Sequence, residues 1–229
     1  VKGASEGAGL GNKFLSHIRE VSVIAHVIRA FEDPNVIKEG SVDVKSDYET
    51  ITTELILADL QSLERSKVKD QRSKTQVKNQ KEILEKLFEG LNKGIPAREI
   101  KFSDEEKEFI DQLFLLSNKP EILVLNVSEG DYKEENIDKL IFQCSRTLEQ
   151  PRGKFIVICA KIESELAELL EEDQKQYLKD LGISKSGLER LIKKAYDTLG
   201  LISFLTAGEI EVRAWTIKKG TNAQNAAGV

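Results

Sequence analysis

Two short apolar runs decide the predicted fold class: Ile122-Leu123-Val124-Leu125-Asn126 and Phe155-Ile156-Val157-Ile158-Cys159. Uninterrupted apolar runs of this length predict strands that are covered on both faces of a sheet. A third run, Val21 to Ile28, is almost continuously apolar and rich in β-branched residues. Helical patterns separate the three runs, so the sequence predicts an α/β fold with a mainly parallel sheet.

The segment between the first two predicted strands lacks a strand pattern and predicts a helical insertion. Apolar residues repeat there at heptad spacing in two stretches, which predicts an antiparallel coiled-coil hairpin. The two predicted seams consist of Ile56, Leu60 and Leu63, and of Val77, Leu84, Leu87 and Leu91, with Gln80 at one core position. A further helix should begin at Ser103, because Ser103-Asp104-Glu105-Glu106 fits a capping box.

Local patterns also predict the elements on either side of these segments. Phe14, Leu15 and Ile18 predict a short helix that ends near Glu20. Two more helices are expected towards the other end of the chain, followed by two strands in a hairpin-like pattern. The predicted ranges are Ile162 to Leu181, Ser184 to Leu199 with Gly200 as the stop, Leu201 to Thr206, and Val212 to Ile217.

Composition limits the class of protein. The 229 residues include 34 basic and 39 acidic side chains, two cysteines, two histidines and no methionine. Two cysteines and two histidines are too few for a disulfide framework or a zinc site. No run is long enough to span a membrane and no signal peptide is present, so we expect a soluble, cytoplasmic protein. The absence of methionine indicates that this sequence is not that of a complete native chain.

The strongest charge feature is the segment Arg65 to Lys81, which has seven basic residues and one acidic residue in a chain of net charge −5. One interpretation is a solvated hairpin tip. The other is an electrostatic contact surface for RNA or the ribosome. No aromatic residue lies among the basic ones, so base stacking is not expected there. The candidate contacts are Lys67, Lys69, Arg72, Lys74 and Lys78.

The sequence contains candidate base-binding loops of a nucleotide site but not its phosphate-binding loop. The sequence has no G-x-x-x-x-G-K-[ST] loop. Asn118-Lys119-Pro120-Glu121 is similar to the N-K-x-D element of GTPases, but it precedes a strand, whereas ligands lie beyond the carboxyl ends of strands. We therefore predict a turn at Asn118. Polar loops follow the next two strand ends, at Asn126-Val127-Ser128-Glu129 and at Cys159-Ala160-Lys161, and could hold a base between them.

Neither histidine has a partner pattern for catalysis, and His26 is predicted to be a hydrogen-bonded histidine of the core.

Several longer motifs resemble those of a known protein family. The segment 1–15, with its glycines, strongly resembles the part of YchF-type Obg-like ATPases that follows the switch II motif. Arg29 to Asp33, Asn126 to Glu129, and Glu211 to Ile217 also resemble that family's signatures, in the same order.

The resemblance implies a P-loop NTPase-like G domain, an inserted coiled coil and the start of a small β-grasp-like TGS domain. It divides the chain into residues 1–44 and 118–200 for the G domain, 45–117 for the insertion, and 201–229 for the TGS domain. It also implies a protein that binds and hydrolyses ATP, with GTP less favoured, together with Mg²⁺, and that associates with the ribosome or ribosomal RNA. Neither membrane binding nor specificity for DNA is implied.

The resemblance also implies roles for particular residues. The base would contact Asn126 and the main chain of Val127, with Glu129 marking the altered specificity and Cys159, Ala160 and Lys161 closing over the base. Gly3, Gly7, Gly9 and Gly11 would belong to a nucleotide-sensitive switch II loop. No metal ligand is expected in this sequence, because the resemblance places the P-loop and the Mg²⁺ ligands upstream of Val1.

The sequence departs from the family pattern where a catalytic histidine is usual, because Val36-Ile37-Lys38-Glu39-Gly40 has none. We assign no catalytic residue, and Lys38 does not inherit the role. The alternative function is therefore a ribosome- or RNA-binding module whose hydrolysis is weak or lost.

Overall fold

The computed structural model describes residues 11–31, 43–70, 78–209 and 211–228. The helices in these ranges are α1 Gly11–Glu20, α2 Val44–Asp70, α3 Lys78–Asn92, α4 Asp104–Asp111, α5 Glu134–Thr147, α6 Ala160–Ala167, α7 Glu171–Asp180, α8 Gly187–Leu199 and α9 Ala223–Ala226. The strands are β1 Ile24–Arg29, β2 Glu121–Asn126, β3 Phe155–Ile158, β4 Leu201–Ala207 and β5 Val212–Lys218. Single 3-10 turns occupy Ala97–Glu99 and Arg152–Lys154.

Several predictions concern positions outside the described residues. They include the glycines Gly3, Gly7 and Gly9, the segment from Val36 to Gly40, and the basic residues Arg72 and Lys74. Gly11 is the first residue of α1. The backbones of Lys67, Lys69 and Lys78 belong to α2 and α3, but their side chains are also outside the described part.

The chain divides into two compact units, the first of which comprises Val1–Ile24 and Asp43–Pro120. The predicted helical insertion is confirmed, because the described residues between β1 and β2 contain helices and no strand. Helices α2 and α3 pack together through the predicted seam residues other than Val77, which lies outside the described part of the chain. The buried members are Ile56, Leu63, Leu87 and Leu91, with Leu60 and Leu84 partly buried against them.

The predicted helix start at Ser103 is confirmed in atomic detail. The Ser103 hydroxyl accepts a hydrogen bond from the Glu106 main-chain nitrogen at 3.2 Å, and the Glu106 carboxylate accepts one from the Ser103 nitrogen at 2.7 Å. This reciprocal pair satisfies two amide groups that a helix terminus leaves free. The chain then forms the predicted turn at Asn118, where Lys119 donates from its nitrogen to the Leu116 carbonyl at 3.3 Å.

A buried carboxylate, Asp59 on α2, organises the segment just before that turn. Its two oxygens accept hydrogen bonds from the main-chain nitrogens of Leu116 and Ser117, at 2.7 and 2.8 Å. The Ser117 hydroxyl in turn accepts from the Ala97 nitrogen at 3.1 Å. Because these donors are buried, Asp59 supplies acceptors that no water can replace.

The second unit comprises Ala25–Val42 and Glu121–Val229. Its three-stranded sheet has the order β1-β2-β3, and β2 and β3 run parallel with Asn126 opposite Ile158. The prediction that β2 and β3 are covered on both faces is confirmed, since the residues from Glu121 to Leu125 and from Phe155 to Val157 are buried. The sheet therefore brings the carboxyl ends of β2 and β3 side by side.

The first strand differs from the prediction. It begins at Ile24 rather than Val21, and it lies at the edge of the three-stranded sheet with Val27 58% exposed. Alternate residues, His26 and Ile28, are buried, so in this structure only one face of the strand is covered. His26 is a core histidine as predicted, with Nδ1 3.0 Å from a carboxylate oxygen of Glu121.

The helix predicted from Ile162 to Leu181 is two helices, α6 and α7. Leu170 has an extended backbone conformation between them, with φ −68° and ψ 155°. Three acidic residues from Glu171 to Asp173 form the first turn of α7, where they favour a new helix start by complementing the helix dipole. The predicted range therefore contained a second start signal that apolar periodicity alone did not reveal.

Helix α8 leads into the hairpin at the far end of the chain. It begins after Ser186, whose hydroxyl accepts from the Glu189 nitrogen, and ends at Gly200 with a φ of 62°. The positive φ favours glycine at this cap. Strands β4 and β5 pair antiparallel as predicted, with Phe204 opposite Trp215. In the described ranges, no helix combines the length and the apolar character that crossing a membrane requires.

Candidate functional site

The candidate site is formed by the two polar loops that follow β2 and β3. Because the strands are parallel and Asn126 is in register with Ile158, both loops leave the sheet at the same edge. The first loop begins at Asn126 and reaches α5. The second is short, because Cys159 is already the N-cap residue of α6 and Ala160 is the first helical residue.

Hydrogen bonds connect the two loops directly. The Asn126 side-chain oxygen accepts from the Ala160 main-chain nitrogen at 2.9 Å. The Val127 nitrogen donates to the Ile158 carbonyl, also at 2.9 Å. Asn126 thus uses its amide oxygen to hold the start of α6, and its NH₂ group is the part that can donate to a ligand. Val127 can still offer its carbonyl.

An ion pair crosses the same loops. The Lys161 ammonium lies 2.7 Å from a Glu129 carboxylate oxygen and 4.0 Å from Glu165. The hydrogen bond to Glu129 is the main reason that the pKa of Lys161 is raised above its usual value, with the negative charges of Glu129 and Glu165 adding to the effect. The ammonium therefore stays charged, and its alkyl stem can cover an apolar group while its end is held by Glu129.

The predicted site residues differ in accessibility. Glu129, Ala160 and Lys161 are exposed, Asn126 is partly buried, and Val127 and Cys159 are each only 2% exposed. Val127 and Cys159 therefore contribute almost no exposed surface to the site. The Cys159 thiol lies in the core.

The side chains that give the first loop its shape were not predicted from the sequence. The Ser128 hydroxyl donates to the Asp131 carboxylate at 2.6 Å, and the Tyr132 nitrogen donates to the Ser128 carbonyl at 3.1 Å. These contacts make a tight turn directly after the predicted base-contacting residues. A serine three residues before an aspartate is a common turn pattern, so a local signal was present.

A polar network beneath that turn was not predicted from the sequence either. Tyr132 is completely buried, and its hydroxyl accepts from Nη2 of Arg190 at 2.6 Å. The hydroxyl also lies 3.4 Å from a carboxylate oxygen of Glu163. No local pattern predicts these partners, because they are 58 and 31 positions away along the chain.

Metal ligation has no support in the described part of the chain. Within residues 11–31, 43–70, 78–209 and 211–228, no group of three or more histidine, cysteine, aspartate or glutamate side chains is arranged to hold a metal ion. No Mg²⁺ contact is therefore assigned to these residues.

Comparisons with known proteins show which proteins this chain resembles. Residues 201–229 match the YchF-GTPase_C family, which is described as a protein of unknown function. The chain is 47% identical over 235 residues to the ribosome-binding ATPase YchF of Bacillus subtilis, and 39% identical over 235 residues to that of Escherichia coli O157:H7. All of this chain is covered in both cases, but only 64% and 63% of those relatives.

A solved structure extends the similarity to three dimensions. The structure of the Schizosaccharomyces pombe YchF GTPase matches with a TM-score of 0.81 and 36% sequence identity, over all of this chain and 64% of that one. The similarity therefore includes the parallel sheet, both polar loops and the helical insertion. Over its whole length, the chain is thus similar to proteins of the YchF family.

Proposed function

We propose that the protein that contains this chain is a nucleotide-dependent switch that binds and hydrolyses ATP and associates with the ribosome. The observation that carries the proposal is the joined pair of loops, with Asn126 bonded to Ala160 and Glu129 bonded to Lys161. This pair lies at the edge of a parallel sheet where α/β proteins bind nucleotides. The related bacterial proteins are named ribosome-binding ATPases.

The geometry favours adenine over guanine in this proposal. Guanine presents an N–H and an NH₂ group on its pairing edge, which suit a free carboxylate, whereas adenine presents one NH₂ donor beside an acceptor. In this chain the Glu129 carboxylate is already engaged by Lys161 at 2.7 Å. Its capacity to accept two hydrogen bonds from guanine is reduced, while the Val127 carbonyl can accept from the adenine NH₂ group.

Hydrolysis requires positioned charges around the γ-phosphate, chiefly from a P-loop lysine and Mg²⁺. This chain contains no P-loop motif, and it spans 64% of the Bacillus subtilis relative. We therefore assign to this chain the recognition of the base and not the phosphoryl transfer. In this proposal Mg²⁺ enters with ATP and neutralises phosphate charge, and the predicted switch II glycines respond to the γ-phosphate.

The chain offers a matched pair of asparagines to test the base site. Asn126 ends β2 in the candidate site, whereas Asn118 precedes β2 and donates to the Asp111 carboxylate at 2.9 Å. In the full-length protein, Asn126→Ala should weaken ATP binding about tenfold or more, since it removes a base donor and the bond to Ala160. Asn118→Ala should bind ATP as the unaltered protein does. Calorimetric titration measures both, and the reverse ranking would contradict the proposal.

A second candidate function is a ribosome- or RNA-binding module in which hydrolysis is weak or lost. The net charge of +6 from Arg65 to Lys81, in a chain of −5, favours it. Replacing Lys67, Lys69 and Arg72 by glutamate should abolish co-sedimentation with ribosomes at low salt if this surface makes the contact. Replacing Lys175, Lys179 and Lys185 by glutamate changes the net charge equally and serves as the control. Unchanged co-sedimentation of the first variant would remove this segment from the proposed interface.

A further inference from the structure

Three side chains, the buried Tyr132 and the partly buried Glu163 and Arg190, form a polar network beside the candidate base site. Arg190 donates from Nη2 to the Tyr132 hydroxyl at 2.6 Å, and its guanidinium carbon lies 5.5 Å from the centre of the Tyr132 ring. The hydroxyl is 3.4 Å from a Glu163 oxygen. The phenol is therefore surrounded by a cation on one side and an anion on the other.

Each member of the network is also anchored to a different element. Arg190, on α8, donates from the same Nη2 to the Val157 carbonyl of β3 at 3.0 Å. Glu163, on α6, accepts from the main-chain nitrogens of Gly187 and Leu188 at 2.6 and 3.0 Å. Its carboxylate thus caps the first turn of α8, where negative charge is favoured by the helix dipole.

The polarity of the network is fixed by the chemistry of its members. Arg190 can only donate and the Glu163 carboxylate can only accept, so the Tyr132 hydroxyl has to accept from the first and donate to the second. Burial raises the pKa of Tyr132, although the Arg190 charge opposes the effect, so the hydroxyl keeps the proton that it donates. Removing that hydroxyl would leave the two partly buried charged groups, Arg190 and Glu163, with one fewer partner each.

The network reaches both loops of the candidate site through very short connections. Tyr132 is three residues after Glu129 and its nitrogen bonds to the Ser128 carbonyl. Glu163 is two residues after Lys161, and its nitrogen donates to the Cys159 carbonyl at 3.0 Å. Because Tyr132 belongs to the first loop and Glu163 to the helix that begins at the second, their contact sets the spacing of the two.

We propose that Tyr132, Glu163 and Arg190 are positioning residues that hold the loop from Asn126 to Tyr132 against the start of α6, and so preorganise the adenine site. This inference rests on the proposed function, because it assigns a task at the same site. None of the three touches the base. They act through Asn126, Glu129 and Lys161, whose spacing they fix.

The test uses the full-length protein with the variant Tyr132→Phe, which removes the hydroxyl but keeps the ring in the core. We expect the KM for ATP to rise about three- to tenfold with kcat unchanged, since the loss affects binding of substrate and transition state alike. Hydrogen exchange should become faster at the Ala160 amide, which is held by Asn126. Arg190→Lys, which keeps the charge but loses the planar guanidinium that reaches both the Tyr132 hydroxyl and the Val157 carbonyl, should have the same effects.

A matched control is Tyr196→Phe, because the Tyr196 hydroxyl is 3.3 Å from the Thr216 hydroxyl, away from both loops. It should change neither the KM nor the exchange at Ala160. The inference is overturned if Tyr132→Phe behaves like this control, or if its kcat falls while KM stays constant. If the unaltered protein binds no ATP, the proposed function fails together with the inference. Normal ATP binding that is insensitive to Tyr132→Phe rejects the inference alone.

Discussion

The side-chain oxygen of Asn126 accepts a hydrogen bond of 2.9 Å from the main-chain nitrogen of Ala160. This bond joins two segments that are 34 positions apart in the chain and places the end of β2 against the start of α6. The Glu129–Lys161 ion pair lies across the same two segments. The proposed base site therefore depends on contacts between two loops, and its properties should change when those contacts are removed singly.

Removing Lys161 should alter nucleotide preference more than stability. In Lys161→Ala the Glu129 carboxylate loses its 2.7 Å partner and becomes free to accept from guanine. We expect the ratio of ATP to GTP affinity in the full-length protein to fall several-fold, as measured by competition titration. Thermal stability should hardly change, because an exposed ion pair contributes little.

Lys175→Ala is the matched control for that experiment. Lys175 makes an ion pair of 2.8 Å with Glu171 on α7, and both side chains are exposed. Its loss should leave the ATP to GTP ratio unchanged. An equal change of the ratio in the two variants would show that Glu129 and Lys161 have no special part in base selection.

Asp59 should be essential for the stability of the first unit. Its carboxylate is fully buried and accepts from the Leu116 and Ser117 nitrogens. Asp59→Ala leaves both donors unsatisfied, so the free energy of unfolding should fall by about 2–6 kcal/mol, at about 1–3 kcal/mol per donor. Urea denaturation measures the change in the free energy of unfolding. A decrease smaller than that of an ordinary surface substitution would contradict the stabilising role of Asp59.

The same residue predicts a pH dependence. Burial raises the pKa of the Asp59 carboxyl, and this effect exceeds the opposing hydrogen bonds to Ser117 and Leu116. The folded chain therefore binds this proton more tightly than the unfolded chain does. The resulting stabilisation is complete below the unfolded pKa of about 3.9 and is lost as the pH rises through the higher folded value. The stability advantage of the unaltered chain over Asp59→Asn should shrink as the pH rises from about 4, whereas a constant advantage would count against the raised pKa.

The capping box of α4 gives a smaller, local prediction. Ser103→Ala removes the acceptor of the Glu106 nitrogen and should lower the free energy of unfolding by about 0.5–2 kcal/mol. Ser164→Ala, at an exposed position inside α6, should be neutral or slightly stabilising because alanine is the better helix former. Chemical denaturation distinguishes them, and equal effects would show that the cap contributes nothing.

Gly187, the first residue of α8, should not tolerate a side chain. A Cβ atom there would lie 2.8 Å from a Glu163 oxygen and 2.8 Å from Cγ2 of Ile158. Gly187→Ala should therefore destabilise the chain by about 1–3 kcal/mol, although alanine has the higher helix propensity. At Gly153 nothing lies within 4 Å of the added atom. Gly153→Ala should be harmless, and a neutral Gly187→Ala would mean that α8 can shift away from Glu163.

The elements that the sequence predicted well are those whose signals are local. Continuous apolar runs predicted β2 and β3 because both faces of those strands are covered. The capping box predicted the start of α4 to the residue, since both of its partners lie within one helical turn. Gly200 predicted the end of α8, because a left-handed helix cap depends on the conformation of a single residue.

The failures concern information that lies outside any short window. Val27 is as apolar as its neighbours, yet it is exposed because only one face of β1 is covered in this structure. The predicted helix from Ile162 to Leu181 is interrupted at Leu170, because the acidic residues after it start a second helix. The partners of Tyr132 come from α6 and α8, so only the folded chain brings them together. The loops after β2 and β3 were found because parallel strands place their ends at one edge, which is a rule of topology.

The central claim is that the site formed by Asn126, Val127, Glu129 and Lys161 selects adenine. The most direct measurement is the affinity of the full-length protein for ATP and for GTP, determined side by side by calorimetry at one Mg²⁺ concentration. The account predicts clearly tighter binding of ATP, because Lys161 occupies the Glu129 carboxylate that guanine would need. A clear preference for GTP would contradict it.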